Sequence, residues 1–138
     1  MKIVVIDAQG GGLGKVIIEK LKERVHDVEI IAMGTNVTAT AVMKKAGAVQ
    51  AATGENAIVY NAHRADIIIG GIGIIAANSM LGEITPKMAE AVSSSDALKV
   101  LIPIGKCHIL IPGSQSYTLN ELIDMAIDCA AGHIENTD

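Results

Sequence analysis

The residues best suited to chemistry stand close to the start of the chain, in Asp7-Ala8-Gln9-Gly10-Gly11-Gly12-Leu13-Gly14-Lys15. A glycine has no Cβ, so it takes positive φ readily and lets its backbone come close to a ligand. The residues after this loop read as a helix. A new helix begins with unpaired N–H groups and a partial positive charge, and a phosphate binds there without help from a lysine. Gln9, Gly10, Gly11, Gly12, Leu13 and Gly14 are therefore the candidate phosphate cradle. Lys15 opposes the helix dipole from the first turn; it either pairs with a bound phosphate or stands in solvent. Asp7 can meet a ligand hydroxyl, a magnesium-bound phosphate or the amides of its own loop.

Spacing narrows the ligand. The dinucleotide pattern G-x-G-x-x-G is not met, because its third glycine would fall at Lys15. Gly12 and Gly14 match the last two positions of the G-x-x-x-G-x-G loop of short-chain dehydrogenases, with Ala8 in the first. A dinucleotide site usually adds an acidic residue about twenty positions onward to hold the ribose diol. Ala32-Met33-Gly34-Thr35-Asn36 offers no carboxylate there, which argues against NAD. Thr35 and Asn36 can meet a ribose or its 2′-phosphate, which leaves NADP open, or they can cap the next helix. Glu55 and Asn56 follow Thr53-Gly54 as substrate contacts or as helix-terminus residues. Gly70, Gly71 and Gly73 form a second glycine-rich turn. Asn78, Ser79, Glu83 and Thr85 make a further polar cluster in which capping accounts for Thr85, while Glu83 has no evident structural duty.

Other constellations carry less. Tyr60 and Arg64 echo a Tyr-x-x-x-Lys pair, but too early in the chain, and arginine does not do a lysine's work. Cys107 and His108 are adjacent, and on a strand they would face opposite ways. His26, His63, His108 and His133 show no zinc-ligand spacing with Cys107 or Cys129, so no metal is assigned. No catalytic residue is assigned either; Tyr60, Cys107 and Glu83 are the candidate proton donors for an oxidoreductase.

The elements that must position these residues alternate. Ile3–Ile6 is a short β-branched run that suits a doubly buried strand. A helix over about 13–25 follows, with Leu13, Val16, Ile17, Leu21 and Val25 on one face. Strands are expected at 28–33, weakly at 48–51, and at 67–69 and 100–104. Helices are expected at 37–46, 55–64, 74–81, from Thr85-Pro86 to Ser93, and at 119–131 behind the capping box Thr118…Glu121. Gly105-Lys106 reads as a hairpin turn that returns Cys107–Ile111 antiparallel at the sheet edge. The result is an α/β, Rossmann-like three-layer α/β/α fold, its mainly parallel sheet in the order 3-2-1-4-5 with a C-terminal antiparallel edge hairpin. In that order the ends of the first and fourth strands share one crevice.

The totals agree. The 138 residues suit one domain, with a loose tail from Gly132. Half the residues are apolar and 19% charged, while Phe and Trp are absent, so the core is aliphatic. A net charge of −4 without a basic block argues against nucleic acid as a partner. No segment has the apolar length to span a membrane, and two cysteines suit a reducing cytoplasmic setting. The apolar composition favours a homodimer.

Asp7–Lys15, Gly34-Thr35-Asn36, Ala52-Thr53-Gly54-Glu55-Asn56-Ala57-Ile58 and Gly82-Glu83-Ile84-Thr85-Pro86 together resemble a family of small uncharacterised bacterial proteins, described as a domain of unknown function. Glycine is usual in that family where this chain has Ala8. The resemblance implies a Rossmann-like fold and supplies no reaction. The leading expectation is a binder of a nucleotide or other phosphorylated small molecule, acting as sensor or accessory protein. A small NADP-dependent oxidoreductase and a homo-oligomeric interaction module with a purely structural glycine loop are the alternatives.

Overall fold

Ile3-Val4-Val5-Ile6 is β-branched throughout and uncharged. It forms strand β1 (Lys2–Asp7) at the middle of a sheet, covered on both faces. The computed structural model describes residues 1–104 and 107–137. Strands β2 (Glu29–Gly34), β3 (Gln50–Thr53), β4 (Ile67–Gly71) and β5 (Leu98–Ile102) join β1 in a five-stranded sheet of order 3-2-1-4-5. Every pairing is parallel. The helices are α1 (Gly12–Arg24), α2 (Val37–Ala46), α3 (Glu55–Ala62), α4 (Pro86–Ser94) and α5 (Leu119–Thr137). This is the expected Rossmann-like α/β/α architecture.

Alternation along the strands divides the interior. Ile3 and Val5, with Ile30, Ala32, Ile67 and Ile69, pack under α1, α2 and α5. Val4 and Ile6, with Ile31, Met33 and Ile68, pack under α3 and α4. Each buried isoleucine contributes about 1.5–3 kcal/mol relative to exposure. The register sets Asp7 beside Gly34 at the carboxyl ends of β1 and β2, so the first two glycine-bearing turns leave the sheet side by side.

Local chemistry sets the helix ends. Asn36 accepts from Ala39 N–H as N-cap of α2, and Gly47 at φ 123° closes that helix. Thr85 accepts from Met88 N–H ahead of Pro86. Thr118 and Glu121 form the reciprocal capping box of α5.

Three expectations change. Residues 74–81 are not a helix: a single 3₁₀ turn over Ile72–Ile75 gives way to turns. Asn78, Met80, Leu81 and Gly82 all take positive φ, which no right-handed helix accommodates. The antiparallel hairpin is not formed among the described residues. Cys107–Ile111 contains no strand, Ile104 turns back to bond Ile102 O, and His108 is left-handed. The expected turn at Gly105-Lys106 lies outside the described residues. The segment from Gly132 is helical to Thr137, because Ile134 is buried on the core and Glu135 pairs with Arg24.

Candidate functional site

The glycine loop is built on Asp7. Its carboxylate accepts from Ala8 N–H (2.8 Å) and Gly14 N–H (2.7 Å), which folds the loop over the end of β1. Asp7 is only 7% exposed. Burial pushes its carboxyl above the ordinary value of 3.8; the two N–H bonds oppose that rise and the charge of Glu83 adds to it. Gly11 is required by geometry. It sits at φ 74°, its N–H bonds Ala8 O, and a Cβ there would strike the backbone of Ala39. Gly14 packs against Met43.

Gly10 and Gly12 differ: a Cβ on either would meet nothing within 4 Å. Among the described residues, no acceptor takes the N–H groups of Gly10, Gly12 and Leu13. The N–H groups of Gly11 and Gly14 are spent inside the loop.

Glu83, which the sequence left without a structural duty, is a hydrogen-bond hub. Its Oε1 accepts from Gln9 N–H (2.9 Å), Thr35 Oγ1 (2.6 Å) and Asn36 Nδ2 (2.9 Å). The Thr35 hydroxyl first, then the Gln9 and Asn36 donors, hold its carboxyl below the ordinary 4.5 despite partial desolvation. Asn36 Nδ2 also donates to Gln9 O (3.0 Å). Nearby, Gly54 N–H bonds Gly34 O, and Thr85 Oγ1 donates to Glu55 Oε2 (2.6 Å). The loops after β1, β2, β3 and β4 are thus tied into one network.

A cavity of about 330 Å³ opens beside the glycine loop. Asp7, Gln9, Gly10, Gly11, Gly12 and Leu13 form one wall. Gly73 and Met80, from beyond β4, Ile104 and Cys107, from beyond β5, and Leu119 at the start of α5 complete it. The crevice between β1 and β4 is where the strand order places it. Of the other expected residues, Gly34, Thr35, Asn36, Glu55 and Asn56 do not line this cavity. Thr35 and Asn36 serve the Glu83 network, Glu55 holds Thr85, and Asn56 is exposed. Gly70 and Gly71 are packing positions, against Ile6 O and Ile104. Lys15 is exposed and outside the cavity wall.

The candidate proton donors separate as well. Tyr60 is 54% exposed on α3 with the Arg64 guanidinium 3.5 Å above its ring, away from the cavity. Glu83 is committed as an acceptor. Cys107 alone of the three lines the cavity, while Cys129 is exposed on α5. Met80, Ile104 and Leu119 had no signal in the sequence beyond their place after a strand or before a helix. Among the described residues no helix is long and apolar enough to cross a membrane, and no three His, Cys, Asp or Glu side chains gather to hold a metal.

Residues 2–135 match the family described as Domain of unknown function (DUF3842). No curated protein matches the sequence. Among solved structures, the chain is similar to a dodecameric FMN-dependent UbiX-like decarboxylase from Escherichia coli O157:H7. Identity is 19% over 96% of this chain and 77% of that chain, with a TM-score of 0.48.

Proposed function

The chain belongs to the DUF3842 family, and we propose that it binds a nucleotide or other phosphorylated small molecule at its glycine loop, as a sensor or accessory protein. The phosphate would rest on the N–H groups of Gly10, Gly12 and Leu13. One observation carries the reading: these three N–H groups have no acceptor among the described residues, and they border the 330 Å³ cavity at the start of α1. Anions are favoured at that end of a helix. The volume falls at the lower end of the roughly 300–1,000 Å³ typical of small-molecule sites. Leu13, Met80, Ile104 and Leu119 give an apolar lining suited to a base or another ring. The backbone amides of the glycine loop would supply the anion's contacts along this wall.

The test is a thermal-shift screen of purified, ligand-stripped protein against NAD, NADP, FMN, ATP, GTP, S-adenosylmethionine and sugar phosphates. A ligand at a hundred times its Kd adds about 2.7 kcal/mol of stability, a rise of several degrees in the midpoint. Gly12→Val then locates the phosphate. A Cβ there would meet no protein atom within 4 Å, and the rest of the valine side chain would fill the approach to the amides. Binding weaker by at least tenfold is expected. Unchanged binding would move the phosphate elsewhere, and silence across the screen would leave an interaction module whose glycine loop is structural.

A further inference from the structure

We infer that the site takes a mononucleotide-sized phosphate ester and is closed to dinucleotides, because a strap pinned by Glu83 occupies the half of the crevice that a second nucleotide needs. The inference rests on the phosphate reading of the glycine loop. In a sheet of this order an extended dinucleotide crosses the switch point, and one ribose lies over the carboxyl end of β2. Here that end is already engaged. Thr35 Oγ1 and Asn36 Nδ2, the donors that would meet the ribose, both point to Glu83 Oε1, at 2.6 and 2.9 Å. Asn36 Oδ1 is held by Ala39 N–H. Glu83 also takes Gln9 N–H, so its carboxylate bridges the tips of β1 and β2.

The strap is the segment from Ala76 to Thr85. It is fastened at each end, by Ser79 Oγ on Gly73 O (2.6 Å) and by Thr85 Oγ1 on Glu55 Oε2 (2.6 Å). Asn78 N–H bonds Ile84 O across it. Asn78, Met80 and Leu81 are left-handed, a conformation only glycine adopts freely, so the ties must hold it in place. Met80 meanwhile lines the open cavity, and no residue of β2 or β3 does. The strap therefore divides the crevice. The side toward β4 and β5 is open, and on the side toward β2 the polar donors are engaged by Glu83.

Matched pairs of probes test this: FMN with FAD, and nicotinamide mononucleotide with NAD. Each dinucleotide is its partner plus an adenylate, so the ratio of the two Kd values reads the excluded half alone. Titration calorimetry of the parent chain should show each bound mononucleotide at least tenfold tighter than its dinucleotide. Glu83→Ala releases all three ties and should bring the ratio toward one. Glu83→Gln keeps a side-chain oxygen on Gln9, Thr35 and Asn36 and should hold most of the discrimination. Thr35→Val, which removes one tie, should shift the ratio in the same direction as Glu83→Ala by less, and decides the matter if the alanine variant does not fold. A parent chain that binds a dinucleotide as tightly as its half overturns the inference and leaves the phosphate site standing. Binding of neither member of either pair also overturns it, while the wider screen separately judges the phosphate site. Undiminished discrimination in folded Glu83→Ala, or in Thr35→Val where that variant decides, overturns the role of the strap.

Discussion

Asp7 and Glu83 both accept N–H groups of the glycine loop, yet their surroundings move their carboxyls apart. Asp7 is buried and its pKa is raised; Glu83 is held by donors and its pKa is lowered. The linkage signs are opposite. The folded state binds the Asp7 proton more tightly than the unfolded chain does, so Asp7 adds stability as pH falls from its raised value toward 3.8. The contribution of Glu83 is present above 4.5 and is lost as pH falls through its lowered value. Urea unfolding across pH 7 to 3.5 checks this with Asp7→Asn and Glu83→Gln. Asp7→Asn turns an acceptor into a donor against Ala8 or Gly14 N–H and should cost about 1–3 kcal/mol at pH 7. Its deficit should widen on acidification, whereas that of Glu83→Gln should shrink. Parallel curves for the two variants would contradict the assignments.

Among the elements, α5 shows where local sequence signals stop. Its start was legible, because Thr118 and Glu121 cap through their own side chains. Its end was misplaced at Gly132, since an interior glycine costs about 1 kcal/mol against alanine and usually marks a stop. A Cβ at Gly132 would meet nothing within 4 Å, so no tight turn demands a glycine there. Burial of Ile134 beyond it carries the helix on. Ile134→Ala should therefore lower stability by about 2–5 kcal/mol, read as a lower urea midpoint; a loose tail would show no change. The same limit explains the segment after β4. Left-handed Asn78, Met80 and Leu81 are set by the ties of Ser79, Glu83 and Thr85, which hydropathy patterning does not register. Asn36, Gly47 and Thr85 were legible because a cap is a short-range contact.

For the whole molecule, sheet order was readable because continuous apolar strands such as Ile67–Ile69 have to lie inside a parallel sheet, and the crevice between β1 and β4 follows from that order. The partition of the crevice was not readable. Asn36 meets Glu83 across 47 positions, and Thr35 across 48, so neither polar side chain disclosed its partner by spacing. Placing Cys107 in the cavity wall and Cys129 on the outside of α5 has a practical consequence. The chain has two thiols, one in the cavity wall and one outside it, so alkylation by iodoacetamide carries its own reference. A ligand in the cavity should slow the labelling of Cys107 several-fold in peptide mass spectra and leave that of Cys129 unchanged. A ligand that stabilises the protein without altering the ratio of the two labels would be bound outside this cavity, and the chain would report so without any substitution.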